Sequence, residues 1–239
     1  MNTVNKEKAS NYIAQFKGSV IVSCQPVDDG PMDKTEHIVA MALAAIDGGA
    51  KGLRIEGVEN VSAVASAIKG AVPIIGIVKR DLEETDVRIT PFTSDIRELA
   101  AAGAEIIAFD ATKRERPESV STLINEIHGL DCIAMADCDD LISGIEAAQL
   151  NCTFIGTTLS GYTGNSPIPE EPDFELVELL AYRGFNVIAE GRFNSPTLAS
   201  RAIEVGALTV TVGSAVTRIE HITQWFHKAI DAVAREMPR

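Results

Sequence analysis

Eight short runs of apolar and β-branched residues recur along the chain, separated by longer amphipathic stretches, and few architectures accommodate that rhythm. The runs are SVIVSC (19–24), GLRIEG (52–57), PIIGIVK (73–79), EIIAFDA (105–111), DCIAMAD (131–137), TFIGTT (153–158), NVIAEG (186–191) and LTVTVGS (208–214). They are nearly continuous in apolar character, as parallel strands are when helices cover one face and side chains pack against the other. Between them lie helix-like segments such as DKTEHIVAMALAAIDGG, TSDIRELAAAG, ESVSTLINEIHG, DDLISGIEAAQL, DFELVELLAYRG and SPTLASRAIEVG. DGGAKG, AAGAEI, YRGFNV and EVGALT place glycine before the next strand, where it supplies a left-handed helix cap. Thr93 or Ser94, and Ser195 with Pro196 at the first helical position, read as N-terminal caps. Eight such units with right-handed crossovers in 239 residues predict one α/β domain over 1–239, a (β/α)8 TIM barrel. An open doubly wound sheet is the alternative; the count of eight fits closure better, and no strand-linked GxGxxG occurs.

A formal charge of −13 argues against nucleic acid as a partner, because phosphate-tracking proteins cluster Lys and Arg. One cationic or amide-lined pocket still accommodates a small phosphorylated ligand. The polar segment MNTVNKEKASNYIAQF has no secretory apolar core, and no later run approaches membrane-spanning length, so a cytoplasmic protein with no membrane partner is expected. Cys24, Cys132, Cys138 and Cys152 lack CxxC spacing and read as reduced core residues. His37, His128, His221 and His227 form no ligand pair, so no metal site is expected.

Barrel enzymes carry their catalytic groups at the C-terminal ends of the strands. Those ends supply Ser23, Cys24 and Gln25; Arg54 and Glu56; Lys79 and Arg80; Asp110 and Thr112; Asp137, Asp139 and Asp140; Thr157 and Thr158; and Glu190. Taken singly, such residues are most often solvated or capping, and Asp139 or Asp140 also reads as a cap for the next helix. Lys79 and Glu190 stand out because each terminates an otherwise apolar strand, where partial burial draws both toward the working range of an acid or base. Lys79 is the better base candidate, although a lysine also permits a Schiff base. After the seventh and eighth strands, EGRFNSP and VGSAVTR place Gly191, Arg192, Gly213 and Ser214 where barrels bind phosphate, with Arg218 as an added charge. The long segments LSGYTGNSPIPEEPD (159–173) and RDLEETDVRITPF (80–92) sit on the same face as candidate covering loops.

In combination, SCQP, LRIEG, PIIGIVKRD, ITPF, FDAT, MADCD, GTTLSGYT, VIAEGR and VGSAVTRIE make nearly the whole chain resemble the bacterial N-acylglucosamine-6-phosphate 2-epimerases, also called N-acetylmannosamine-6-phosphate 2-epimerases. Ile219 departs from the pattern, standing where proline is expected. The resemblance implies a barrel that interconverts N-acetylmannosamine 6-phosphate and N-acetylglucosamine 6-phosphate in sialic acid and amino-sugar catabolism, without a metal or nucleotide cofactor, as a homodimer. It assigns Lys79 as the base at carbon 2 and Glu190 to ring opening or enolate stabilisation. Gln25, Arg54 and Asp137 would orient the amino-sugar phosphate, with Arg218 and the amides near Gly191, Arg192, Gly213 and Ser214 on the phosphate. The sequence leaves open whether one group or two move the proton, and which of Asp137 and Asp139 enters the site. Two rivals use the same residues: a Schiff-base aldolase or lyase with Lys79 as nucleophile, and a silent sugar-phosphate sensor. A metal-dependent epimerase fits less well, because the strand ends carry no histidine.

Overall fold

In the computed structural model, which describes residues 3–164 and 167–236, each of the eight runs is a strand. They are β1 (Ser19–Ser23), β2 (Gly52–Glu56), β3 (Ile74–Ile77), β4 (Ile106–Asp110), β5 (Ile133–Asp137), β6 (Phe154–Gly156), β7 (Asn186–Glu190) and β8 (Thr209–Val212). Every neighbouring pair is parallel, and β1 closes on β8 from Ser19–Thr209 to Val22–Val212. The closed barrel excludes the open sheet.

Strand side chains alternate between two compartments. Ile75 and Ile77, Ile106 and Ala108, Ile133 and Met135, and Ile188 belong to the inner core. Ile74, Ile107, Phe109, Ala134, Val187 and Ala189 pack in the larger outer core with the helices. Two residues further along the inward register of β3, β4, β5 and β7 come Lys79, Asp110, Asp137 and Glu190. Their position at the barrel mouth thus follows from strand periodicity.

The helices anticipated between strands are α2 (Thr35–Asp47), α4 (Thr93–Ala102), α5 (Val120–Gly129), α6 (Leu141–Gln149), α7 (Phe174–Tyr182) and α8 (Pro196–Glu204). The sequence reading does not single out α1 (Thr3–Phe16) or α3 (Val58–Ile68). Helix α1 carries Ala9, Tyr12, Ile13 and Phe16 at i, i+3, i+4 and i+7 among polar and charged residues. That stripe packs on the inner core, with the Phe16 ring 5.5 Å from that of Phe154. A Cβ on Gly52 would lie 2.8 Å from Phe16, so the first residue of β2 stays bare to admit the plug. After β8 come the four-residue α9 (Ser214–Thr217) and the long α10 (Ile219–Glu236).

The expected glycine caps are present: Gly49, Gly103, Gly184 and Gly206 all have left-handed φ. Ser195 caps α8, its hydroxyl accepting from the Leu198 amide at 3.2 Å, and Asp140 caps α6 through the Ser143 amide at 2.7 Å. The Thr93 or Ser94 cap of α4 is not made. Phe92 is the extended residue there, Asp95 reaches back to its amide, and the Thr93 amide and hydroxyl both turn to Glu118. All four cysteines are free and buried, and burial alone pushes the Cys24 thiol up to about 12, which leaves it inert. Among the described residues no helix is long and apolar enough to cross a membrane.

Candidate active site

The C-terminal ends of the strands surround a cavity of about 690 Å³, within the usual range for small-molecule sites. Of the residues singled out by sequence, Gln25, Lys79, Glu190, Gly191, Arg192, Gly213, Ser214 and Arg218 line it. Lys79 and Glu190 therefore face one space.

Lys79 is half-buried, two residues past the inward Ile77. Burial lowers its pKa; Glu56 and Asp28 oppose that, while Arg218 and Arg54 reinforce it. Each of these moves has the expected sign, since a low dielectric and nearby cations both disfavour an ammonium. A larger fraction of neutral amine follows, which is the form a base requires.

Glu190 shows the opposite displacement. Its backbone is pinned to β6, the Thr157 hydroxyl donating to the Glu190 carbonyl at 2.9 Å and accepting from its amide at 3.0 Å. Burial raises the carboxyl from the ordinary range to about 7, with Arg54 pulling it down and Asp137 pushing it back up. Arg54 crosses the barrel interior from β2 and forks onto Asp137 of β5, with Nη1 to Oδ1 at 3.1 Å and Nη2 to Oδ2 at 2.6 Å. The same Nη1 stands 3.2 Å from Glu190 Oε2. One buried cation is thus shared by two carboxylates, and the bidentate claim of Asp137 is the stronger. Thr158 adds a donor to Asp137 Oδ1 at 2.7 Å.

This arrangement separates two groups that the sequence reading treats alike. Arg54 and Asp137, 1% and 0% exposed, lie beneath the cavity and are not brought to its surface. Their polar atoms are directed mainly at each other and at Glu190, so they act on the charge of that carboxyl. Asp139 is directed elsewhere too, accepting from Thr163 at 2.7 Å and from Ser143 at 3.2 Å.

Arg192 lines the cavity, and its guanidinium is engaged with the loop after β6. Its Nε donates to the Glu171 carbonyl and its Nη1 to the Ser160 carbonyl, both at 2.8 Å, and the group lies 5.1 Å from the centre of the Tyr162 ring. Arg192 straps the loop after β6 to the end of β7. Both Gly191 and Arg192 have left-handed φ, 106° and 64°, and this double turn lets the chain pass directly under Tyr162. Arg218, in contrast, uses Nε on the Gln25 carbonyl at 3.0 Å, which orients its guanidinium at the cavity beside Gly213 and Ser214. The Gln25 side chain donates to Ser23 at 2.7 Å.

Asp110 also lines the cavity, although the sequence reading leaves it among the polar strand ends. It accepts from the Thr112 amide and hydroxyl and from Arg114 and Arg116. Arg114 and Tyr162 complete that wall; the tyrosine lay in a loop flagged by length, whereas nothing in ATKRERPE marks Arg114. Among the described residues no group of three or more His, Cys, Asp and Glu is placed to hold a metal ion.

Residues 38–232 match the protein family described as "Putative N-acetylmannosamine-6-phosphate epimerase". Two relatives described as "Putative N-acetylmannosamine-6-phosphate 2-epimerase" come from Photobacterium profundum and Pasteurella multocida. The first is 54% identical over 92% of this chain and 93% of its own, the second 55% identical over 95% and 98%. A solved structure of the N-acetylmannosamine-6-phosphate 2-epimerase from Clostridium perfringens superposes with a TM-score of 0.87 at 40% identity, covering 91% of this chain and 95% of that one. The deoxyribose phosphate aldolase from Aeropyrum pernix, at a TM-score of 0.63 and 14% identity, shares the fold alone.

Proposed function

Since this chain belongs to the N-acetylmannosamine-6-phosphate epimerase family, we propose that Lys79 and Glu190 carry the proton transfers of its reaction. The protein is an isomerase that interconverts N-acetylmannosamine 6-phosphate and N-acetylglucosamine 6-phosphate, a step of sialic acid catabolism. Inverting carbon 2 means opening the ring, removing the proton α to the aldehyde and returning one to the other face. Glu190, whose burial draws its carboxyl up to about 7, donates in its protonated form to the ring oxygen, and its carboxylate then takes the O1 proton as the aldehyde forms. Neutral Lys79 takes the proton from carbon 2; the C–H pair becomes the C1–C2 π bond, and the carbonyl pair settles on O1 as an enolate. Glu190, protonated again, faces that charge. Once the enolate has turned within the site, the Lys79 ammonium gives its proton to the opposite face of carbon 2. This restores the aldehyde as its epimer and the amine as the base, and ring closure through Glu190 reverses the first step.

One observation carries this reading: an amine drawn downward and a carboxyl drawn upward face a single cavity, the pattern by which acid and base roles are divided. Arg218, with the main chain at Gly191, Arg192, Gly213 and Ser214, receives the phosphate, and Gln25 meets the sugar. Arg54 and Asp137 serve Glu190. The enzyme works as one catalytic domain over 1–239 in the cytoplasm, as a homodimer whose second copy covers the exposed apolar stripe of α10.

NMR of N-acetylmannosamine 6-phosphate in heavy water tests the assignment. Wild type incorporates deuterium at carbon 2 of both epimers, Lys79→Ala incorporates none yet still binds substrate, and Arg218→Ala chiefly raises KM. Exchange at the wild-type rate in Lys79→Ala removes the base. A borohydride-trapped adduct on Lys79 replaces epimerisation with the Schiff-base reading.

A further inference from the structure

The end of β3 leaves the barrel ladder. β3 and β4 pair only at Ile75–Ile106 and Gly76–Ile107, whereas β4 and β5 stay paired as far as Asp110–Asp137. Residues 88–90 enter the opening. On one side the Arg80 amide donates to Arg88 at 3.0 Å, Lys79 faces Ile89 in an antiparallel bridge, and the Thr90 amide donates to Val78 at 2.8 Å. On the other side the Asp110 amide donates to the Ile89 carbonyl at 3.0 Å. A loop segment thus occupies the strand position beside Lys79.

At the centre of that segment Thr90 is wholly buried, with φ at 47°. Two features of the sequence oppose this conformation. Its Cβ is branched, which makes left-handed backbone costly, and Pro91 follows it, which favours extended backbone at the preceding residue. A residue stays in such a position only where its surroundings over-determine it. Here Thr90 grips both polar backbone groups of Val78: its amide donates to the Val78 carbonyl, and its hydroxyl accepts from the Val78 amide at 3.3 Å. The other neighbour of Lys79 is held as well, since Arg80 Nε donates to the buried Asp95 at 2.7 Å. Thr90 does not line the cavity, whereas Lys79 and Ile89 do.

We propose that Thr90 is a positioning residue for the epimerisation: by holding Val78 in this turn, it fixes where the Lys79 nitrogen stands over carbon 2. The inference rests on Lys79 being the base. The groups facing that nitrogen are Glu56 and Arg54 from β2, Asp28 from the loop after β1, and Arg218. A lysine released from the clamp swings toward water and loses burial, its largest downward influence, so its pKa rises.

Thr90→Val keeps the shape and removes the acceptor; Thr90→Ser keeps the acceptor. Thr90→Val lowers kcat for carbon-2 exchange about 10²-fold, the size of effect a misplaced catalytic group produces, with KM little changed. Thr90→Ser stays near wild type. In Thr90→Val the Lys79 bend of the pH–rate profile, the one that survives in Glu190→Gln, moves to higher pH. Calorimetry with the open-chain sugar alcohol 6-phosphate, which has no carbonyl to acidify carbon 2, shows retained binding. Should Thr90→Val fail to fold, Thr90→Gly, free of the positive-φ cost, gives the same readouts without the hydroxyl. Wild-type kcat and pH profile in the hydroxyl-free variants, or loss of analogue binding in step with kcat, overturns the inference. An active Lys79→Ala is a different failure, that of the base itself.

Discussion

At the scale of single residues, the Arg54, Asp137 and Glu190 cluster makes the site pH-dependent in a direction that can be worked out. Glu190 keeps its proton up to about 7 in the folded protein, whereas the unfolded chain releases it near the ordinary carboxylate value. Between those limits the native state binds the extra proton, so this group favours folding at low pH, and its contribution disappears as pH rises through 7. The span corresponds to something on the order of 3 kcal/mol. Glu190→Gln, which cannot ionise, is therefore more thermostable than wild type at pH 8, and the gap narrows at pH 5; calorimetric melts at the two pH values check this. The same variant removes the bend near pH 7 from kcat/KM. Asp137→Asn moves that bend downward instead, because it deletes a charge that raises the Glu190 pKa and leaves Arg54 to act on Glu190 alone. A bend that stays in place in Asp137→Asn shows that Asp137 does not govern the carboxyl.

At the scale of elements, the strands were legible because β-branched runs and the period of two are local properties, and one register argument carries Lys79, Asp110, Asp137 and Glu190 to the mouth. What those side chains meet there is not local. Arg192 reads as a phosphate ligand from EGR, yet its partners are the carbonyls of Ser160 and Glu171, which no sequence pattern identifies. The left-handed Thr90 is hidden for a similar reason, since a β-branched residue before proline gives no signal for positive φ. The strap formed by Arg192 predicts a coupling between two loops. Arg192→Gly suits the φ of 64° while losing both charged hydrogen bonds and the ring contact. It raises KM about tenfold, equivalent to ~1.4 kcal/mol, and speeds chymotryptic cleavage at Tyr162. Wild-type KM and cleavage in Arg192→Gly indicate that the guanidinium does not hold the loop.

For the whole molecule, the inner core, the α1 plug and the outer helices leave an apolar surface exposed along α10 among the described residues. Along α10, Ile219, Phe226, Ile230 and Val233 are 53%, 67%, 67% and 63% exposed, and their spacing of seven, four and three places them on a single stripe. Scattered exposed hydrophobics are ordinary, but a continuous stripe this long marks an interface. A self-complementary pairing about a two-fold axis covers it twice with one contact, the commonest solution among soluble oligomers. A second copy also suits the charge. At −13 per chain, association has to rely on apolar burial at short range, since the long-range field repels. A carboxylate in the middle of the stripe defeats that burial at both symmetry-related positions. Phe226→Glu therefore shifts the mass measured by light scattering after gel filtration from two chains to one, and leaves the circular dichroism of the barrel intact. Wild type running as a single chain, or Phe226→Glu remaining at two, means that α10 is not the seam.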